Sequence, residues 1–272
     1  MTTLSGLHAP AVLSDIDRDD LVATPNRVPA ITVDFWLIKL MAVTMGETAA
    51  DFLAVNLGLG LTATSVLMAS ILVGALILQF RQKRYVPWSY WLAVVLISIV
   101  GTLVTDNLVD NFGVSLITTT IFFTIALAAT FAVWYAAEKT LSIHEVTTTR
   151  REAFYWLAIL FTFALGTAAG DLVAEQFGLG YMATGLLFGM IIASITLGYY
   201  ALELDAILAF WIAYIFTRPL GASFGDLLSQ PKEYGGMGLG TILTSAIFLA
   251  AIVGIVIYMT STHEGREMAL PE

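Results

Sequence analysis

Four aspartates recur at equivalent places in long apolar stretches of this sequence: Asp51, Asp106, Asp171 and Asp226. A charged side chain at the centre of a membrane-spanning helix costs about 2.5–3.5 kcal/mol, and such groups usually bind ions or carry protons. Carboxylate oxygens are also the ligands that Mg²⁺, Ca²⁺ and Mn²⁺ prefer. The four aspartates are therefore the candidate ligands for an ion, and specifically for a metal ion.

Further polar residues accompany the aspartates. Glu47, Asp110 and Glu175 each lie four residues from one of them, and we include Glu47 among the candidate ion ligands. A threonine follows each aspartate after a glycine turn, and at about 1.5 Å per residue it returns to a similar depth on the next helix. We therefore expect hydroxyl neighbours for the carboxylates at Thr64, Thr119, Thr184 and Thr244.

The aspartates belong to a pattern, W-x9-G-x4-D-x6-G-x5-T, that occurs four times, with five extra residues between Asp and Gly in the fourth. The spacing is 120 residues from Asp51 to Asp171 and from Asp106 to Asp226, which divides the chain into two halves. Such a fixed period is typical of repeat architectures. Each unit is predicted to be a helix, a glycine turn and a second helix, and two spans per unit make the repeats parallel.

One face of the first helix in each unit carries the polar residues. At about 100° per residue, positions 4, 7, 11 and 15 after the tryptophan form a single stripe that ends at the aspartate. A polar stripe on an apolar helix faces the protein interior or water. Arg218 lies on the stripe of the fourth unit, two turns before Asp226. We predict that the carboxylates meet at one level and that Arg218 balances part of their charge.

These residues lie in apolar segments long enough to cross a hydrocarbon core about 30 Å thick. The chain is 58% hydrophobic and 12% charged, whereas about a quarter of the residues in a soluble domain are charged. The segments do not alternate as barrel strands do, and helices satisfy their own backbone hydrogen bonds. We predict an all-α integral membrane protein with eight transmembrane helices, at 33–56, 61–80, 87–109, 114–137, 153–176, 180–201, 204–228 and 239–260.

The predicted organisation is a cytoplasmic polar tail at 1–30, a first half at 31–145, a second half at 150–262 and a cytoplasmic tail at 263–272. Nine of the twelve Lys and Arg residues lie in these tails and in the loops on one side, which places both termini in the cytoplasm. The aromatic residues near that side are interpreted as an interfacial belt, and Lys39 as a side chain that extends to the cytoplasmic face.

The dipeptides Gly170-Asp171 and Gly225-Asp226, together with the Gly-Leu-Gly turns, resemble a family of bacterial inner-membrane proteins built from a short Gly-Asp repeat of unknown function. Its members are known only as uncharacterised membrane-anchored proteins. The resemblance covers about residues 33–260, and the first two units depart from it with Ala50 and Thr105 before the aspartate. It implies a location in the cytoplasmic (inner) membrane and supplies no activity.

Several function classes are disfavoured. The sequence has no P-loop, zinc-protease or dinucleotide-binding motif and no histidine within a predicted span, so we expect neither an enzyme nor a cofactor. It has no basic stripe, which argues against nucleic-acid binding. It has no cysteine, and its three histidines lie outside the predicted spans, which disfavours zinc and copper sites: His8, His144 and His263.

The function that the residues favour is transport of a hard divalent cation, Mn²⁺, Mg²⁺ or Ca²⁺, with coupling to protons as a variant. One alternative is a proton or organic-cation carrier that uses the same carboxylates. Another is a membrane scaffold or partner subunit that transports nothing, in which the aspartates tie helix pairs together. The expected partners are membrane lipid and a small cation as substrate, and a homo-oligomer is left open.

Overall fold

The computed structural model of the protein describes residues 26–268, with side chains to residue 261. Most of the first predicted tail therefore lies outside the described residues, and the last helix continues beyond 262 into the second. The α-helices are α1 (Val33–Asp51), α2 (Leu61–Arg81), α3 (Pro87–Asp106), α4 (Leu116–Glu138), α5 (Thr149–Asp171), α6 (Gly180–Ala201), α7 (Ala206–Ser229) and α8 (Thr241–Met268). The all-helical prediction is confirmed.

Among the described residues, seven helices are long and apolar enough to cross a membrane. The exception is α1, which carries four charged residues: Asp34, Lys39, Glu47 and Asp51. The even-numbered helices expose large apolar side chains, as surfaces that face lipid do, for example Val66, Ile121, Leu186 and Ile247. Length, composition and exposed surface together indicate a multi-pass membrane protein.

The odd-numbered helices form a closed ring in which α1 packs on α3, α3 on α5, α5 on α7, and α7 on α1. The motif glycines make these close contacts, because a Cβ added at Gly46, Gly101 or Gly166 would lie within 2.7 Å of the Cβ on the next helix. Small residues let helices approach closely in this way. Each glycine meets the residue seven after the next tryptophan: Gly46 meets Ser98, Gly101 meets Phe163, Gly166 meets Arg218 and Gly221 meets Val43.

The even-numbered helices lie outside the ring. Each packs chiefly against the odd-numbered helix of the following unit, so that α2 covers α3, α4 covers α5, α6 covers α7 and α8 covers α1. In the turn after α1, Gly58 and Gly60 have φ angles of +70° and +75°. These angles favour glycine, which has no Cβ to clash. The four units are therefore interlocked rather than stacked as separate helix pairs.

The odd-numbered helices begin at a cluster of aromatic side chains, which we call the aromatic end. In each unit the residue before the motif tryptophan packs against the tryptophan of the next unit. The distances between ring centroids are 5.7 Å for Phe35–Trp91, 5.4 Å for Tyr90–Trp156, 6.2 Å for Tyr155–Trp211 and 5.8 Å for Phe210–Trp36. The hydroxyls of Tyr90 and Tyr155 are hydrogen-bonded at 2.5 Å. This aromatic cluster closes one end of the ring.

The aromatic cluster corrects the interpretation of the tryptophans as an interfacial belt. Trp91, Trp134 and Trp156 are at most 3% exposed. The indole of Trp91 donates to the hydroxyl of Tyr85 at 3.2 Å. Burial raises the pKa of Tyr85, so its hydroxyl stays neutral. These rings pack inside because neighbouring units provide aromatic partners for them there. The predicted belt residues that are exposed, as an interfacial belt requires, are Trp88, Tyr199, Tyr200 and Tyr258.

Candidate functional site

At the opposite end of the ring, the acidic end, the odd-numbered helices surround a cavity of about 190 Å³. Seven carboxyl groups line it: Glu47, Asp51, Asp106, Asp110, Asp171, Glu175 and Asp226. Asp110 and Glu175 are exposed, whereas Glu47 and Asp226 are only 6% and 8% exposed. The four predicted aspartates thus converge in a cavity that opens outward at one side and is deepest at Glu47 and Asp226.

The backbone next to three of the aspartates is unusual. Asp51, Asp106 and Asp171 each end an α-helix, and the chain continues as one π-helical turn, at Phe52–Asn56, Asn107–Asn111 and Leu172–Gln176. Single π turns are rare and occur frequently at functional sites. In the fourth unit α7 continues past Asp226 as an α-helix, and Gln230 then donates to the carboxylate of Asp51 at 3.5 Å. The repeat pattern did not predict these turns.

Three of the acids form a tighter group. One carboxylate oxygen each from Glu47, Asp171 and Asp226 lie within 4.8 Å of one another. Ca²⁺ binds oxygen at about 2.3–2.6 Å, so two of its ligands stand up to about 5 Å apart. This spacing makes the three carboxylates a candidate group for holding one metal ion, whereas Asp51 and Asp106 line the same cavity outside this group.

Arg218 lies below the cavity and is fully buried. Its Nη2 donates at 2.7 Å to Glu47 Oε2, at 2.7 Å to Thr167 Oγ1, and also to Thr102 Oγ1. These three acceptors all occupy the position eleven residues after the motif tryptophan, one in each of the first three units. Arg218 therefore does pair with an acid of the cavity, and that acid is Glu47 of the first unit rather than Asp226 of its own helix.

Lys39 is a second buried cation, and its prediction as a side chain extending to the membrane surface was wrong. It is 0% exposed, and Nζ donates to the backbone carbonyl of Tyr214 at 2.7 Å. The ammonium also lies 3.7 Å from the centroid of the Tyr214 ring and 6.0 Å from that of Phe163. The carbonyl and the ring faces stabilise the ammonium inside the ring of helices. Lys39 and Arg218 both come between the carboxylates and the aromatic cluster.

The four predicted threonines are at most 1% exposed, yet none lines the cavity. Thr64, Thr119 and Thr244 donate to the carbonyl four residues earlier, at 2.7, 3.1 and 2.9 Å, and Thr184 Oγ1 has no partner among the described residues. A helical threonine readily bonds its own backbone in this way. The depth argument did not fix the rotation of the even-numbered helices, and the hydroxyls near the acids are those of Thr102 and Thr167.

The chemistry of the cavity follows from its charge. Like charges this close repel one another, so protons or cations must offset the charge of the seven carboxyl groups. The polar groups that line it are carboxyl groups and the amide of Gln230, which suits hard cations. No histidine lines it among the described residues.

No protein of curated function and no solved structure matches the chain. A family profile, in contrast, matches it four times in succession, at residues 35–85, 89–140, 154–205 and 209–264. Each match contains one odd-numbered helix and the even-numbered helix that follows it, so the matches coincide with the four structural units. They cover most of the chain, and the expected resemblance to an uncharacterised repeat family is confirmed. The protein belongs to the family described as Repeat of Unknown Function (DUF347).

Proposed function

We propose that this protein transports a hard divalent cation, such as Mn²⁺, Mg²⁺ or Ca²⁺, which it binds in the acidic cavity. The observation that carries the proposal is the convergence of one aspartate from each of four repeats on a single cavity. Burying several carboxyl groups in a membrane protein is costly, and such groups usually serve ions or protons. The spacing within the Glu47, Asp171 and Asp226 group supports a site for one ion.

In this proposal all eight helices span the cytoplasmic (inner) membrane, with both termini in the cytoplasm. The charged Lys39 and Glu47 of α1 are buried inside the ring, so they do not prevent this helix from spanning. Positive charge is concentrated at the aromatic end, which supports a cytoplasmic location for that end. The residues concerned are Arg27, Arg81, Lys83, Arg84, Lys139, Arg150 and Arg151, against Lys232 at the acidic end.

The proposed mechanism is that of a carrier rather than an open channel. A cation that left the cavity toward the cytoplasm would first meet Arg218, then Lys39, and then the aromatic cluster. Fixed positive charges in a narrow passage exclude cations. The cation is therefore released to the other side only after the helices rearrange, and protons that compete for the same carboxylates provide a means of coupling.

A small organic cation is the second candidate substrate. The observation in its favour is that the guanidinium of Arg218 already lies against Glu47, at 2.7 Å. A planar organic cation of similar size would find the same carboxylate chemistry at the bottom of the cavity. The third alternative, a scaffold that transports nothing, needs the carboxylates only for stability.

Flux measurements on the full chain in proteoliposomes test these alternatives. Uptake of Mn²⁺, Mg²⁺, Ca²⁺ and guanidinium is measured with and without a pH gradient, for the wild type and for Asp171→Asn and Asp226→Asn. We expect saturable uptake of at least one divalent cation, reduced in both variants. Uptake of guanidinium alone selects the second candidate. Folded wild-type protein that moves none of these cations under either condition rules out the proposed transport.

A further inference from the structure

Glu47 has two kinds of neighbour. On one side its carboxylate lies within 4.8 Å of oxygens from Asp171 and Asp226. On the other side its Oε2 accepts hydrogen bonds from Arg218 at 2.7 Å and from Thr102 at 3.2 Å. Among the described residues, only Glu47 belongs to both groups. A change in what binds one side therefore alters the electrostatics of the other.

The group below Glu47 is itself a small cation site. One carboxylate and two hydroxyls, from Glu47, Thr102 and Thr167, surround Nη2 of Arg218. They come from α1, α3 and α5, and Arg218 comes from α7, so all four repeats take part. Gly166 leaves room for the arginine, since a Cβ at that position would lie 2.5 Å from Cβ of Arg218. The site is therefore built around the ring axis by equivalent positions in three repeats.

The guanidinium is held there incompletely. All of its hydrogen bonds to Glu47, Thr102 and Thr167 are made by Nη2, whose two hydrogens are shared among three acceptors. Nε and Nη1 are buried and have no hydrogen-bond partner among the described residues. A guanidinium has five N–H donors and binds a carboxylate most strongly through two parallel bonds. Arg218 thus uses one nitrogen, as a simple cation would, and is suited to displacement.

We infer that Glu47 is the shared ligand of two adjoining cation sites. The outer site consists of Glu47, Asp171 and Asp226 and takes the transported cation. The inner site consists of Glu47, Thr102 and Thr167 and takes the guanidinium group of Arg218. A cation in the outer site draws on the same carboxylate and weakens its bond to Arg218, so the substrate advances only as the guanidinium leaves. The outer site rests on the proposed transport, whereas the inner site rests on the contacts of Arg218 alone.

Chemical rescue tests the inner site. Arg218→Ala empties it, and free guanidinium at millimolar concentration, far below the molar range that denatures proteins, is then added to the purified full chain. We expect guanidinium to restore at least half of the thermal stability that the variant has lost. The wild type, whose inner site is already occupied, and the double variant Arg218→Ala/Glu47→Gln should not respond. Sodium chloride at equal ionic strength serves as the salt control.

If Arg218→Ala does not fold alone, it is produced and purified with guanidinium present, and recovery of folded protein counts as rescue. A second variant provides the comparison. Arg218→Lys, which keeps a single cationic nitrogen, should fold without guanidinium and show no rescue. The inner site is overturned if guanidinium restores neither yield nor thermal stability of Arg218→Ala, or if it stabilises all variants equally.

The two proposals fail separately. Absence of rescue together with cation flux in the wild type removes the inner site and leaves the transport proposal intact. Rescue without flux of any cation keeps the inner site and removes the transport proposal, and with it the substrate of the outer site.

Discussion

Gly166 of α5 lies directly against Arg218 of α7, so closely that a Cβ on the glycine would be 2.5 Å from the Cβ of the arginine. We predict that Gly166→Ala forces the arginine away from Glu47 and Thr167. Overpacking of this kind typically costs about 1–3 kcal/mol. Thermal and denaturant unfolding in detergent measure the effect.

The matched control is Gly74→Ala, also in a helix, where an added Cβ meets nothing within 4 Å. This substitution should be neutral or stabilising by up to about 1 kcal/mol, because alanine favours helix over glycine. If the two variants are equally stable, the close contact at Gly166 is not essential to the ring.

The four aspartates should respond unequally to conversion to asparagine, which keeps the shape and removes the charge. We predict that Asp171→Asn and Asp226→Asn weaken cation binding at least about tenfold, equivalent to about 1.4 kcal/mol. Asp51→Asn and Asp106→Asn should have smaller effects, since these residues lie outside the group that includes Glu47. Titration calorimetry on the purified variants measures the affinities.

Asp205→Asn is the control for this series. Asp205 accepts a hydrogen bond from the backbone of Leu208 at the start of α7, and asparagine caps a helix equally well. Cation affinity should be unchanged. Equal affinities for all four motif variants and the wild type would show that the aspartates serve structure alone.

Stability at the aromatic end should depend on Arg27. Its guanidinium bonds Glu152 at 2.7 Å, and the side chain of Glu152 is 1% exposed and also accepts from Gln79 at 3.0 Å. Removing one partner of a buried ion pair is strongly destabilising, so Arg27→Ala should cost about 3 kcal/mol. Cation binding at the distant acidic end should not change.

Arg150→Ala is the comparison, because the side chain of Arg150 is 65% exposed and pairs with Glu138 at 3.3 Å. An exposed pair of this kind contributes less than about 1 kcal/mol. The unfolding of both variants is compared in the same detergent. A loss for Arg27→Ala no larger than that for Arg150→Ala would contradict the structural importance of Glu152.

Burial of the tryptophans can be measured by fluorescence in bilayers that contain brominated lipids. Trp88 is 44% exposed and Trp134 is 0% exposed. We predict that Trp88→Phe reduces the fraction of fluorescence that these lipids quench, whereas Trp134→Phe slightly raises it. Equal quenching of both variants would instead support the interpretation of the tryptophans as an interfacial belt.

Much of the architecture could be predicted from sequence because it depends on patterns along the chain. The predicted spans 61–80 and 180–201 agree with α2 and α6 to within one residue. The stripe predicted correctly that Asp51 and Asp226, far apart in sequence, face one interior. These results need only helix length, glycine turns and helical periodicity.

What sequence could not supply was the identity of neighbours across space. The stripe placed Arg218 next to Asp226 on the same helix, but its partner is Glu47, 171 residues away. The sequence allowed the Lys39 side chain to extend to the membrane surface, whereas in the structure its Nζ donates to the backbone carbonyl of Tyr214. The packing of each even-numbered helix on the following unit also depends on the angle at which a turn leaves the membrane, and periodicity does not record that angle.

Closure of the ring by α7 on α1 has a consequence for biosynthesis in the proposed topology, in which α1 spans the membrane. The first helix leaves the ribosome with Lys39 and Glu47, while the groups that bond them, Tyr214 and Arg218, belong to the seventh helix. A nascent α1 alone in lipid would expose both charges, each at a cost of about 2.5–3.5 kcal/mol. It is therefore expected to be retained by the insertion machinery until nearly the whole protein has been translated. In that topology, release of the first helix into the bilayer depends on synthesis of the seventh.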